Sequence, residues 1–330
     1  MSHAIYYPYI RVPDSPWFTR TLLYWDDVGA IVPSEYIEHP ESLGDHMVSL
    51  VRENLVKQVV PGMHLWKVPQ FDSAFLDHVD AKAARPVVPS DQWPKVHMEK
   101  LHGVAEGLCR RGLARKDGPA ECSPWYAIEP VTADDFMAYL AAVLGQIPGE
   151  GEFVPVTDQA DRLSRFRLPA PSAGRRAPIR EIVVPRLLPS PSAAVEAPRL
   201  AEFKARNRAA LSDFRREIER RISHWALIEN DADRNVAIEE GVRDLQDRVR
   251  EVAAMMERAR WPHLDFGGLC TIVGSGIAGW SAATTGDLGL GLAGAGLSLA
   301  PAVYEAFRGA APDGADRPLA YAVLAARQFS

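Results

Sequence analysis

Cysteine is scarce in this chain. Cys109, Cys122 and Cys270 stand far apart in 330 positions. An odd, dispersed set excludes a disulfide framework and supplies no CxxC pair for a metal. It predicts a reducing compartment. Excess positive charge is absent too. The net charge is −6 and the pI near 5.9, which argues against nucleic acid as the main partner, because phosphate binding requires clustered Lys and Arg. Residues 1–9 hold no basic segment followed by an apolar run, so the sequence predicts no signal peptide and a cytoplasmic protein.

Catalytic and metal-binding constellations are lacking as well. His97 and His102 are five apart, which places them on different faces of a helix. His78 lies between Asp77 and Asp80 with no second ligand group at zinc-like spacing. Each histidine therefore reads as a surface or packing residue, and neither metal nor cofactor is expected. Trp25-Asp26-Asp27 pairs two carboxylates, but neighbours on a helix diverge, and the expected role is a solvated helix end.

What remains is the composition of a globular protein, 47% apolar and 24% charged, in a chain long enough for two domains. The opening reads strand, helix, strand. Residues 5–10 are apolar and aromatic, Ser15-Pro16 supplies an N-cap and first helical position, and the helix runs through Trp17, Phe18, Leu22, Trp25 and Val28 to a stop at Gly29. Ala30-Ile31-Val32-Pro33 is a second strand, parallel to the first in a βαβ unit. Further elements are a helix over 42–55 capped by Ser42 with Asp45, a strand at Val59-Val60-Pro61, and a helix over 71–79.

Residues 95–145 read as helix, β-ribbon, helix, the order of a winged-helix module. The first helix runs through Met98, Leu101, Ala105 and Leu108 to Gly112. Strand-like runs follow at 113–116 and 125–129, and Thr132 with Asp135 caps the last helix. Its cations Arg110, Arg111, Arg115 and Lys116 are offset by Glu99, Glu106, Asp117 and Glu121, which favours protein contact over DNA reading. Nine prolines fall in residues 147–198. Proline removes a donor and fixes φ, so this window predicts an extended crossover without a long helix, and an edge strand over 181–184.

Residues 199–260 carry the clearest helical period. Leu211, Phe214, Ile218, Ile222 and Trp225 form one stripe; Ile238, Val242, Leu245, Val249, Val252 and Met256 form another with heptad spacing. Asn230-Asp231-Ala232-Asp233 marks a turn, so the pattern predicts an antiparallel hairpin. The Arg-rich face of the first arm is interleaved with Glu and Asp and reads as solvated.

From Gly267 to Tyr304 the only charged residue is Asp287. This stretch contains Val273-Gly274-Ser275-Gly276-Ile277-Ala278-Gly279, a GxGxxG match resembling a dinucleotide-binding opening, with Gly274, Gly276 and Gly279 as candidate cofactor contacts for flavin or NAD. The context disagrees. No acid stands at the end of a second strand about 20 residues on, and the chain after Gly279 is too short to complete a doubly wound sheet. Small residues four apart, Gly274/Ala278/Ala282, Gly291/Ala295 and Gly294/Ser298, instead predict a close-packed pair of helices over 267–307. The two uncharged runs, 18 and 17 residues long, sit at the short edge of a bilayer span, and Gly, Ser and Thr dilute their hydrophobicity. Membrane contact stays open beside burial in the fold.

Tyr6-Tyr7-Pro8-Tyr9-Ile10, Tyr24-Trp25-Asp26 with Ile31-Val32-Pro33, and Trp125-Tyr126 followed by Met137-Ala138-Tyr139-Leu140 together resemble a bacterial family of unknown function. The segment 203–216 and Pro318-Leu319-Ala320-Tyr321-Ala322 are similar as well. The resemblance spans nearly the whole chain and implies no chemistry.

The expected fold is α+β and predominantly helical. It has a small mixed N-terminal domain (1–146) with a winged-helix-like part, a Pro-rich crossover (147–198), and a C-terminal helical domain of two antiparallel hairpins (199–330). The expected function is a non-enzymatic interaction protein whose C-terminal hairpins bind a protein partner or self-associate. A membrane-acting effector of bacterial antagonism or phage defence is one alternative; a dinucleotide enzyme is the other.

Overall fold

A computed structural model describes residues 2–82, 89–118, 123–147, 153–159, 171–191, 195–258 and 317–329. Among the described residues the chain is predominantly helical with two small sheets. It forms two compact units, Met1–Glu181 with Ser190–Ala201, and Ile182–Pro189 with Glu202–Ser330.

The first unit is built on a βαβ start. Strand β1 (His3–Tyr6), helix α1 (Pro16–Tyr24) and strand β2 (Asp27–Ile31) follow one another, and β1 and β2 pair in parallel. Ser15 accepts a hydrogen bond from the Phe18 N–H and Pro16 takes the first turn, where its missing donor costs nothing. The helix ends at Tyr24 rather than at Gly29. Val28 and Gly29 lie inside β2, a strand buried along its whole length, as expected where both faces of a parallel sheet are covered. Gly29 is needed there for closeness: a Cβ would meet Val59 Cγ2 at 3.0 Å.

A short helix α2 (Glu35–Glu38), helix α3 (Asp45–Arg52) and strand β3 (Val56–Val59) come next, with β3 parallel to β2. Gly44 precedes α3; Ser42 turns its hydroxyl to the His39 carbonyl and does not cap. Much later β7 (Phe153–Val156) joins the other side of β1, also in parallel. The order is therefore β3-β2-β1-β7. The chain winds outward from β1 to β3 and then returns to the opposite side, so the order reverses between β1 and β7.

Between β3 and β7 lie α4 (Phe71–Ala81), β4 (Lys95–His97), α5 (Met98–Leu101), α6 (Val104–Arg110), β5 (Ala114–Lys116), β6 (Trp125–Ile128) and α7 (Pro130–Leu144). The three strands form an antiparallel sheet of order β4-β6-β5. Phe71, Phe75, Leu101, Leu108, Phe136 and Leu140 pack with Ile5 and Ile31 in one core, and each fully buried side chain of this size stabilises by about 1.5–3 kcal/mol. The helix expected to run unbroken from Met98 to Gly112 is interrupted at His102. Glu129, not Thr132, caps α7: its carboxylate accepts from the Val131 and Thr132 N–H groups at 3.0 and 2.7 Å. Asp135 is buried and paired with Lys82.

The Pro-rich window contains a helix, α8 (Pro171–Leu187), where a strand over 181–184 was expected. Burial outweighs the lost donors of Pro178 and Pro185: Ile179, Val183, Val184 and Leu187 are all buried. Arg180 also lies over the Trp25 ring at 5.2 Å. Proline's cost of about 3 kcal/mol can be offset by two such side chains.

The second unit contains the second half of α9 (Ala197–Arg206) together with α10 (Arg208–Ala226), α11 (Asp231–Arg258) and α12 (Ala320–Phe329). Asn230 Oδ1 accepts from the Ala232 and Asp233 N–H groups and starts α11. Of the two predicted stripes, Leu211, Phe214, Ile218, Ile222, Trp225, Ile238, Val242, Leu245, Val252 and Met256 are buried. Arg221 meets Asp244 at 3.1 Å, and α12 adds Tyr321 against Phe203 and Phe214, each at 5.7 Å between centroids. A Cβ on Gly241 would stand 2.3 Å from Trp225 Cζ2. Trp225 is buried and cannot swing away, so Gly241→Val is expected to lower unfolding stability by about 1–3 kcal/mol in urea denaturation, the usual cost of overpacking. Residues 267–307, where the small-residue pattern stands, lie outside the described residues. Among the described residues no helix is long and apolar enough to cross a membrane.

Candidate functional site

In an open parallel sheet the strands' carboxyl ends leave a crevice where the connecting loops diverge. Here those ends are Tyr6, Ile31, Val59 and Val156. At the β1/β7 end, the Tyr6 hydroxyl donates to Asp158 Oδ1 at 3.1 Å, and Gln159 Nε2 donates to the Tyr9 hydroxyl at 3.0 Å. Tyr7-Pro8, immediately after β1, is a cis peptide.

The chemistry is denser beyond β2 and β3. Ser34 donates its backbone N–H and its hydroxyl to the two oxygens of Glu99, at 2.6 and 2.5 Å. The turn Pro61–Met63 packs against α5. These contacts hold α5 beside the segments that follow β2 and β3. His97 is buried, closes β4 and caps α5, its Nδ1 accepting from the Glu99 N–H at 3.3 Å. Accepting at Nδ1 leaves Nε2 to carry the proton of the neutral ring. Burial pushes His97 below its ordinary pKa, against the opposing pull of Glu35 and Glu99, and nearby Lys100 adds to the lowering. Glu99 feels burial upward, but the Ser34 hydrogen bonds and His97 outweigh it and hold the carboxyl below its ordinary value.

Lys100 is the unusual member. It is 3% exposed, and burial lowers its amine from 10.5 to about 7. A cation taken out of water normally recovers its hydration through a paired anion. Lys100 has none: among the described residues no carboxylate lies within ion-pairing distance of its amine. The amine is therefore substantially neutral near pH 7, and a neutral amine is a nucleophile and a base.

The backbone just beyond is strained. His102 adopts φ 48° and ψ −131°, a conformation that costs a side-chain-bearing residue about 1–3 kcal/mol. Asp72 holds it there, contacting His102 Nδ1 at 3.0 Å and accepting from the Gly103 N–H at 3.2 Å. This break separates α5 from α6. Around the edge stand exposed apolar side chains: Ile37 on α2, Met63 and Trp66 after β3, and Met98 on α5, with Trp66 72% exposed.

No protein-family model, curated protein or solved structure matches the chain.

Gly274, Gly276 and Gly279, and the small-residue set Gly274, Ala278, Ala282, Gly291, Gly294, Ala295 and Ser298, are outside the described residues. Among the described residues no three His, Cys, Asp or Glu side chains gather to hold a metal. Arg111 is engaged by Asp80 through two hydrogen bonds of 2.7 and 2.6 Å. Asp27 is not on a solvated helix end. It is buried at the amino end of β2, bonded to His3 Nδ1 and Lys57 Nζ, both at 2.6 Å.

Lys100 escaped the sequence reading because a helix through Met98, Leu101, Ala105 and Leu108 turns it outward. The one available signal was His102-Gly103, a glycine four residues before Gly107 within that presumed helix.

Proposed function

We propose that the first unit binds a small molecule at the carboxyl edge of its parallel sheet, with the Lys100 amine as the polar group that engages it. The observation that carries this is a buried lysine without a counter-charge. A structural core position of that shape is better served by Met or Leu, so the cost of burying an amine points to chemistry. The surrounding Ile37, Met63, Trp66 and Met98 supply the apolar rim, and His97 and Ser34-Glu99 the directional polar groups, that ligand sites combine.

Cyanate tests this, since it carbamylates neutral amines in preference to ammonium groups. In native protein at pH 7.5, peptide mass spectrometry is expected to find Lys100 modified ahead of the exposed Lys57, Lys95 and Lys116. Lys100 that reacts only after unfolding would show a sealed structural residue and defeat the proposal.

A second reading places a protein contact or self-association on the C-terminal unit. It is favoured by Leu227 and Val236, 68% and 57% exposed near the link between α10 and α11. If that link is an interface, Leu227→Asp with Val236→Asp reduces the sedimentation coefficient of a wild-type oligomer. A wild type that sediments as a monomer at all concentrations counts against self-association.

A further inference from the structure

A second conclusion goes beyond the small-molecule reading and rests on exposed side chains rather than on the Lys100 amine. We infer that the face formed by α2, the turns after β3 and α5 docks a segment of another protein in which a large apolar side chain is flanked by Lys or Arg.

Three stretches of chain meet on this face. The Ser34 N–H and hydroxyl bind Glu99, which ties the end of β2 to α5. Gln58 Nε2 donates to the Tyr36 carbonyl at 2.7 Å, which ties β3 to α2. The turn Pro61–Met63 packs against α5, and Trp66 Nε1 donates to the Met63 carbonyl at 2.9 Å. Of the eight large apolar side chains exposed among the described residues, these neighbouring stretches hold four, Ile37, Met63, Trp66 and Met98. Single exposed apolar side chains need no explanation, but four on adjoining stretches mark a contact surface. Tryptophan is enriched among the anchors of binding surfaces, and methionine adapts its shape to the partner that arrives.

The charge of the face selects the partner. Glu35 and Glu38 stand exposed on α2. Glu41 follows with its side chain 74% exposed, and Glu99 lies beside Ser34. Against these four carboxylates the same stretches offer one exposed ammonium, Lys67. Lys67 itself lies over the Trp66 ring, 5.6 Å from its centroid, so the indole face accepts a cation.

Other occupants meet a penalty. These carboxylates repel the phosphates of nucleic acid and the surface of an anionic membrane. A second copy docking the same face onto itself sets acids against acids. A basic segment with an apolar anchor gains from both the charge and the exposed indole.

The test is selection of a random-peptide phage library on the immobilised full-length protein, with counter-selection on Met63→Ser/Trp66→Ser. Both positions are exposed, so this variant is expected to keep its fold, which circular dichroism checks. The expected result is wild-type-specific enrichment of peptides that pair Leu, Phe or Trp with Lys or Arg. In fluorescence anisotropy, the most enriched peptide is expected to bind Met63→Ser/Trp66→Ser and Glu35→Lys/Glu38→Lys about tenfold or more weaker than wild type. Its version with every Lys and Arg replaced by Glu shows the same loss. No wild-type-specific enrichment, enrichment of acidic peptides, or binding undiminished in either variant would overturn the assignment. So would co-sedimentation with phosphatidylserine vesicles, or concentration-dependent sedimentation, that Met63→Ser/Trp66→Ser abolishes, because the face would then belong to a membrane or to a second copy. Cyanate at Lys100 reads the small-molecule site separately, and this surface stands or falls on the peptide data alone.

Discussion

Replacing Lys100 by Met is expected to stabilise the protein by about 2–4 kcal/mol at pH 7, measured by urea denaturation, and to leave it no more stable than wild type near pH 10.5. The folded amine titrates near 7, and an unconstrained lysine near 10.5. Between those values the unfolded chain holds a proton that the folded chain has released, so wild-type stability rises with pH across that window. Below pH 7 both states are protonated and the folded state carries the whole penalty. Three and a half units at about 1.36 kcal/mol each set an upper bound near 5 kcal/mol, and relaxation around the amine reduces it. Methionine keeps the hydrocarbon stem and removes the charge. The pH dependence should therefore flatten between 7 and 10 in the variant, while the cyanate-reactive amine disappears. A gain in stability with a loss of chemistry is the signature of a residue retained for function. Loss of stability on this substitution would instead mark Lys100 as structural.

The opposite sign is expected at the other end of the sheet. Asp27→Ala should cost about 3–5 kcal/mol, the usual result of removing one partner from a buried ionic group. Asp27 holds His3 through one oxygen and Lys57 through the other. Lys57 is half exposed and can turn to solvent; His3 cannot, since its ring is buried and lies 5.3 Å from Phe153. The loss thus falls mainly on the His3 contact, which pins the amino ends of β1 and β2. Chemical denaturation gives the total, and a double-mutant cycle with His3→Ala isolates the pair. A change under 1 kcal/mol would show that the bridge contributes little to the sheet.

The two aspartates at 26 and 27 illustrate what the sequence makes legible. Ser15-Pro16, the apolar runs on either side and the short spacing were enough to predict a parallel βαβ unit, because local caps and strand alternation act within a few residues. The helix end was misplaced by five residues because Trp25 and Val28 continue the apolar spacing even though the chain has already turned into β2. The helix Pro171–Leu187 was hidden for a different reason. Proline's cost is local and visible, whereas the burial of Ile179, Val183 and Leu187 that offsets it comes from distant chain. The site followed the same rule. Glu99 is fixed by Ser34, sixty-five residues away, and the short helix that carries Lys100 ends at a backbone break held by Asp72 from α4. None of these long-range ties leaves a periodic signal. The buried stripes of α10 and α11, by contrast, were read almost residue by residue, since heptad spacing is itself the cause of their packing.

Nuclear magnetic resonance titration of selectively ¹³Cε-labelled lysine reads the state of the Lys100 amine directly. Titration of its resonance near pH 7, assigned by its absence in Lys100→Arg, is the result expected of a buried amine without a counter-charge. A midpoint above pH 9 would mean that the amine is solvated or paired, and the carboxyl edge would lose its reactive group.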